Sequence, residues 1–177
     1  MGIERIKRPL LAPDILGVNL AGPTPDIGSG SGYLIEWLSQ VIAAMEDSTT
    51  YYWGTDNTTF LVRASMTTAA NVTPVIVPYA GTIKAVIVHY CEGTGAGTAS
   101  DEAWTMNLNI NDTTDVAIET ISETGSKIRS WENYSLNQAV AQGDELRLKS
   151  TTPAWATNPL ANVERIWVTI WIETPEA

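Results

Sequence analysis

The only histidine and the only cysteine of the chain lie two residues apart, at His89 and Cys91. Residues i and i+2 of a β-strand point to the same face, so the two side chains could touch. Catalysis by a cysteine also needs a group that orients the base and an electropositive, partly exposed setting. The surrounding residues are instead apolar and run into the glycine-rich loop Gly93–Gly97. We therefore interpret the pair as a packed strand end, and we expect no enzymatic activity.

Metal-binding residues are equally sparse in the sequence. A zinc site needs three or four Cys, His or carboxylate ligands, and the chain has one Cys and one His. Asn107, Asn109 and Asn111 offer oxygen atoms, but they lack the carboxylate spacing of a calcium loop. Their alternation with apolar residues favours the water-facing side of a strand. The sequence predicts neither a metal nor a cofactor.

Composition narrows the class of partner. The chain of 177 residues has a formal net charge of −10, which argues against a nucleic-acid partner. No apolar run reaches the length of about 20 residues that spans a bilayer, so we expect no membrane partner. Charged residues make up only 17% of the chain. Because the cores of protein interfaces are depleted in charge, this low fraction predicts contacts with other subunits.

Residues 1–32 are expected to form an extended N-terminal arm followed by a Gly/Ser linker. Several prolines interrupt the segment, yet it is rich in aliphatic residues that a disordered tail rarely contains. We predict that the arm lies in a groove of another protein, with its basic tip on an acidic surface; the alternative is that it folds back on its own domain. The residues assigned to this anchoring arm are Ile3, Arg5, Ile6, Lys7, Arg8, Leu10, Leu11, Ile15 and Leu16.

Residues 33–50 are expected to contain a short amphipathic helix. Between Tyr33 and Glu46, apolar residues recur at the i, i+3, i+4 and i+7 spacing of one helical face. A helix this short is marginal alone, so its stripe must pack either on its own β domain or on copies of itself. Leu34, Trp37, Leu38 and Val41 are the stripe residues that we assign to an oligomer interface.

Residues 51–177 are expected to form an all-β domain, a jelly roll or β-sandwich of about eight antiparallel strands. Trp104–Asn111 and Ile166–Glu173 alternate in the two-residue period of a strand, and turn residues separate the other strand-like segments. In Ile166–Glu173 the aliphatic residues form one face, whereas Trp167 and Trp171 stand on the opposite face. Two tryptophans on an outer face need cover, so we also assign them to the oligomer interface.

The remaining aromatic residues allow two interpretations. Trp131, Tyr134 and Trp155 lie in or near predicted loops, where they could stack on sugar rings. Subunit contacts and loop packing explain the same residues and also fit the low charge. We favour contacts, and we keep a host glycan as a partner to be tested.

The order of these parts, an aliphatic arm, a short helix and a jelly roll that ends in a Trp-bearing strand, resembles the small trimeric virion proteins of tailed bacteriophages. These are head decoration (cement) proteins and head or tail fibre modules. The segment Asn137–Leu148, with its Gly-Asp turn, resembles a hairpin common in such jelly rolls and in tumour-necrosis-factor-like and C1q-like trimers.

The resemblance implies a mechanical function. It implies a homotrimer that is assembled in the host cytoplasm, resides in the virion, and binds the major capsid protein or another virion protein through its N-terminal arm. Such a protein stabilises the shell. The alternative function is a tail-fibre or receptor-binding module that recognises host surface polysaccharide.

Overall fold

The computed structural model describes the chain from Ser31 onward with several gaps. The described residues are 31–41, 45–55, 66–92, 104–118, 120–121, 128–154 and 164–174. The predicted arm residues from Ile3 to Leu16 lie outside them, and so does Trp155.

The described residues form a sandwich of two antiparallel sheets, which confirms the predicted all-β fold. Sheet A has the strand order β1-β11-β4-β8-β7, with β9 paired to β4. Its strands are β1 (Gly32–Val41), β4 (Gly81–Glu92), β7 (Thr120–Ile121), β8 (Ile128–Asn133), β9 (Gln138–Val140) and β11 (Glu164–Glu173). Sheet B has the order β2-β10-β5-β6, with β3 paired to β10. Its strands are β2 (Thr50–Trp53), β3 (Val75–Ile76), β5 (Thr105–Ile110), β6 (Thr114–Ile118) and β10 (Glu145–Thr151).

The helix predicted between Tyr33 and Glu46 is wrong over the whole of β1. Gly32–Val41 is a strand that pairs residue by residue with β11. Its apolar residues fit a helical period, but they also fit a strand that carries apolar side chains on both faces. Ile35 and Trp37 point into the core, whereas Leu34 and Leu38 point outward. The ten-residue ladder with a strand from the other end of the chain decides between the two periods. β1 is therefore part of the sandwich and not a separate element before it.

The core lies between the sheets and follows the alternation of the long strands. Ile166, Val168, Ile170 and Ile172 are all fully buried, as the sequence predicts for that face of β11. A tilted aromatic cluster fills one region of the core. The ring centroid of Trp104 lies 4.9 Å from that of Tyr90 and 5.9 Å from that of Trp131. Trp53 donates its indole N–H to Ser150 Oγ at 2.8 Å, which satisfies a polar atom of the core.

Arg147, on the outer face of sheet B, bonds to the segment around Val72 and to two carboxylates. Its Nε donates to the Val72 carbonyl at 2.9 Å, Nη1 lies 2.7 Å from Asp112 Oδ1, and Nη2 lies 3.0 Å from Glu145. Asp112 occupies the tight turn between β5 and β6 with a φ of 57°, a left-handed conformation that Asp tolerates. One buried guanidinium thus joins the turn, β10 and Val72, the residue that follows the short 3₁₀ helix Ala69–Asn71.

Replacing Arg147 tests this arrangement. In Arg147→Met the Val72 carbonyl loses its donor and two carboxylates lose their cation, so we expect the free energy of unfolding to fall by about 1–3 kcal/mol. Lys149→Met is the matched control: Lys149 lies on the same face of β10 and pairs with Asp115, but its side chain is 24% exposed against 5% for Arg147. The control should change stability by less than about 1 kcal/mol. Equal losses in urea titrations of the two variants would contradict this role for Arg147.

Candidate interaction surface

Four of the six residues assigned to an interface lie together on the outer face of sheet A. The register of β1 and β11 places Leu34 beside Trp171 and Leu38 beside Trp167. We call these four residues the outer band. Leu34, Leu38 and Trp167 are 42%, 37% and 51% exposed, and Trp171 is half-buried. They are therefore available for contact, and three of them are among only five large hydrophobic residues that are exposed in the described part of the chain.

The other two assigned residues do not join the outer band. Trp37 points to the opposite side of β1 and is buried in the sandwich core, so its assignment to an interface is corrected. The helical interpretation placed it beside Leu38, whereas in a strand consecutive side chains point to opposite faces. Val41 ends β1 opposite Glu164, and its side chain lies outside the described residues.

Trp171 lies close against the backbone of the edge strand. A Cβ atom added to Gly32 would approach Trp171 Cζ2 to 2.6 Å, so only glycine leaves room for the ring at that point. The ring therefore covers the start of β1, which is why Trp171 is less exposed than Trp167.

The outer band continues inward as a row of side chains across the sheet. From β1 to β8, the residues that lie side by side are Leu38, Trp167, His89 and Ser130. His89 Nδ1 lies 2.8 Å from Ser130 Oγ. Burial lowers the pKa of His89, and the nearby Glu132 carboxylate opposes this effect. The histidine is therefore held in its neutral form over a wider pH range than an exposed one, and the row stays largely uncharged near neutral pH.

The geometry around His89 fits packing better than catalysis. His89 and Cys91 lie in β4, which pairs with β11 on one side and β8 on the other. The strand amides there are engaged in the two ladders and cannot stabilise an oxyanion. Within the described residues, no group of three His, Cys, Asp or Glu side chains could hold a metal ion.

Two of the three residues assigned to glycan contact are described, and neither offers an open stacking surface. Trp131 is buried in the aromatic cluster of the core, so its assignment is corrected. It lies on the inward face of β8, within a strand and not on an exposed surface near a loop. Tyr134 is half-buried and donates its hydroxyl to Glu132 at 2.7 Å. Burial and this hydrogen bond raise the pKa of the Tyr134 hydroxyl.

The outer face of sheet B has a different chemistry from that of sheet A. Lys149 and Asp115 form an ion pair there, and Asn109 donates its amide to Asp115 at 2.7 Å. Burial raises the pKa of Asp115, but the hydrogen bonds from Lys149 and Asn109 outweigh it and hold that pKa below its ordinary value. Asn109 is buried, contrary to the expectation that the Asn residues of this strand face water. Asn109 Oδ1 is buried without a hydrogen-bond partner among the described residues, but the charged groups of this face are paired. The apolar band of sheet A is therefore the candidate contact surface.

Sequence reasoning missed the polar residues that lie between the apolar rows of this surface. Glu36 lies between Leu34 and Leu38 on β1, and its carboxylate accepts a hydrogen bond from Thr169 at 3.1 Å. Gln40 accepts from Arg165 Nε at 2.7 Å. Reading Tyr33–Val41 in a two-residue period would have placed both on the face of Leu34 and Leu38.

No helix in the described part of the chain is long and apolar enough to cross a membrane.

Comparisons with known proteins give similarity in architecture alone. No protein-family model and no curated protein matches the chain. The capsid asymmetric unit of cyanophage Pam1 contains a chain that is 13% identical, with 94% of this chain and 100% of that chain covered and a TM-score of 0.43. The crystal structure of FlhE is 12% identical over 79% of this chain and 97% of that chain, with a TM-score of 0.42. The empty head of turnip yellow mosaic virus is 12% identical over 90% of each chain, with a TM-score of 0.27. Viral capsid proteins are thus among the solved structures that resemble the β-rich architecture of this chain.

The depressed pKa of His89 predicts how stability depends on pH. Because the folded-state pKa lies below the unfolded value of about 6.5, the unfolded chain binds more protons between the two values. This contribution to stability is present above pH ~6.5 and is lost as the pH falls through the folded-state pKa. In His89→Gln, which keeps a hydrogen-bonding group for Ser130, the loss should be smaller. Urea titrations between pH 7.5 and 5 measure the difference, and identical pH profiles would contradict it.

Proposed function

We propose that the chain is a structural protein of a virus particle, a capsid decoration or head-fibre protein without catalytic activity. The outer band is the observation that carries this proposal. The band gathers four apolar side chains on one face of the sandwich. The opposite face carries ion pairs and hydrogen bonds together with one exposed apolar side chain of β3, Ile76. Apolar side chains gathered on one face of a protein mark a contact with another polypeptide.

Copies of the chain are the proposed partners at the outer band, as a homo-oligomer that is a trimer in the proteins it resembles. Each exposed side chain of the band retains roughly half of its surface, so covering it would contribute about 1 kcal/mol. Individually these gains are small. Repeated across a symmetric contact and combined with the surrounding half-buried residues, they stabilise an assembly.

The N-terminal arm is the proposed anchor to the shell, through contacts with the major capsid protein or another virion protein. The chain enters the sandwich at Ser31, whose carbonyl accepts a hydrogen bond from Thr174 at 2.8 Å. Gly32 follows directly and lies under Trp171. The described part of the chain therefore begins beside the outer band, where the proposed arm would be attached. An anchored arm would hold that band close to neighbouring subunits, which raises their effective concentration.

The alternative function, recognition of host polysaccharide, has less support. It depended on three aromatic residues, of which Trp131 is buried and Tyr134 is half-buried and bonded to Glu132.

Replacing Trp167 tests the outer band as a contact between copies. We expect the native mass of the purified chain to exceed its 19.2 kDa monomer mass in analytical ultracentrifugation. In Trp167→Ser the association should weaken by about tenfold or more, while the thermal midpoint stays nearly unchanged because the indole is half exposed. Tyr79→Ser is the matched control, since Tyr79 is 65% exposed and lies outside the band. Equal weakening in both variants, or a wild-type chain that is monomeric at every concentration, would refute this contact.

Deleting residues 1–20 tests the anchor. The chain should be found in purified particles of the virus that encodes it, and the truncated chain should remain folded and associated but fail to bind particles that lack the full-length protein. Circular dichroism and ultracentrifugation check folding and association, and co-sedimentation checks binding. Full occupancy by the truncated chain would contradict anchoring by the arm.

A further inference from the structure

β1 is an edge strand whose outward backbone groups have no partner within the described residues. Its one neighbour in the strand order is β11. The carbonyl of Ser31 accepts from Thr174, so Ser31 and every second residue after it direct their N–H and C=O groups toward β11. The residues between them direct theirs away from the sheet. These are Gly32, Leu34, Glu36, Leu38 and Gln40.

The same residues that expose their backbone groups also carry the side chains of the outer face. Leu34 and Leu38 belong to the outer band, and Glu36 and Gln40 alternate with them. A strand added at this edge would thus form hydrogen bonds with β1 and also place its own side chains beside the band. Backbone pairing and apolar contact would be supplied by one surface.

β1 lacks the features that usually protect an edge strand from pairing. Natural edges are short, or carry proline, lysine or a β-bulge. β1 has ten residues, contains neither proline nor lysine, and pairs with β11 in one unbroken register. Its single charged residue, Glu36, is held to its own sheet by Thr169. By contrast, the edge strand β2 has four residues and β7 has two.

We propose that β1 of a second copy of this chain pairs with β1 in antiparallel orientation and joins the two A sheets into one continuous sheet. The proposal rests on the self-association proposed above, but its symmetry is two-fold and not the three-fold of the proteins that the chain resembles. Self-pairing of one strand is isologous, so it closes at two copies.

The sequence of β1 suits pairing with itself about a two-fold axis at Leu38. In that register Leu38 faces Leu38 of the second copy, and Glu36 faces Gln40. The side-chain oxygen of Gln40, Oε1, accepts a hydrogen bond from Arg165. The side-chain NH₂ group of Gln40 therefore remains available to donate to the opposing Glu36 carboxylate. An axis at Glu36 would instead place two carboxylates opposite each other, which is destabilising. Pairing at Leu38 also brings the outer bands of both copies onto one continuous face.

Proline at Glu36 tests the proposal without breaking the sheet. The Glu36 N–H points away from β11, so Glu36→Pro removes an edge donor and no hydrogen bond of the existing ladder. We expect this variant to keep the wild-type circular dichroism spectrum and to sediment at the mass of one chain. Glu36→Thr, which removes the carboxylate but keeps the backbone N–H, is the matched control and should weaken association far less than Glu36→Pro. A Glu36→Pro variant that still associates like the wild type would overturn the proposal.

Hydrogen exchange of the wild-type chain gives a second test that does not depend on a variant. On going from dilute to concentrated protein, the amides of Glu36, Leu38 and Gln40 should slow by about tenfold or more, because pairing about Leu38 protects them. The amides of Ile35 and Trp37 should be slow at both concentrations, since they already bond to β11. A two-chain mass with this alternating protection supports the proposal. An oligomer whose Glu36, Leu38 and Gln40 amides stay unprotected overturns edge pairing and leaves the proposed function standing. A chain that never associates removes the self-association on which both rest.

Discussion

The pairing of β11 with β1 on one side and β4 on the other is the constraint on which the rest of the structure depends. β11 comes from the far end of the chain and lies next to the first described strand. Its inward residues Ile166, Val168 and Ile170 are fully buried, so a slip of one residue would expose all of them to water. The register fixed in this way also directs Trp167 and Trp171 outward, beside Leu38 and Leu34. The core and the candidate contact surface are therefore two sides of one ladder.

The two outer faces of the sandwich illustrate how one architecture can carry different surface chemistry. On sheet B, Arg147 and Lys149 alternate with core residues of β10 and are neutralised by carboxylates from adjacent turns and strands. The charged groups of this face are paired with one another, although the buried Asn109 Oδ1 has no hydrogen-bond partner among the described residues. On sheet A, two leucines and two tryptophans occupy four of the ten outward positions of β1 and β11 and form a band that water solvates poorly. This difference between the outer faces of the two sheets, more than any single residue, favours association through sheet A.

The residues that the sequence made candidates for catalysis or ligand binding are packed within the same paired strands. His89 lies opposite Trp167 and is bonded to Ser130, so its burial and neutral form belong to the row that continues the outer band inward. Trp131, which the sequence made a candidate for sugar stacking, packs against Trp104 in the core. Its position could not be inferred locally, because both Trp131 and Glu132 are buried in β8 although they point to opposite faces. Which face is inward depends on the pairing with β4.

The sequence by itself determined the all-β class, most of the long strands and the two faces of β11, because strict alternation of apolar and polar residues has one simple structural reading. It also identified Leu34, Leu38, Trp167 and Trp171 as residues in need of cover. It did not determine β1. The segment from Tyr33 to Val41 satisfies both a helical and a strand period, and only the ladder with β11, from a distant part of the chain, selects the strand. The strand places Trp37 in the core, brings the four outer residues onto one surface and leaves a long edge unpaired within the described residues. Local periodicity describes only the segment itself. Hydrogen-bonded pairing between distant segments decides which face and which edge are exposed to water.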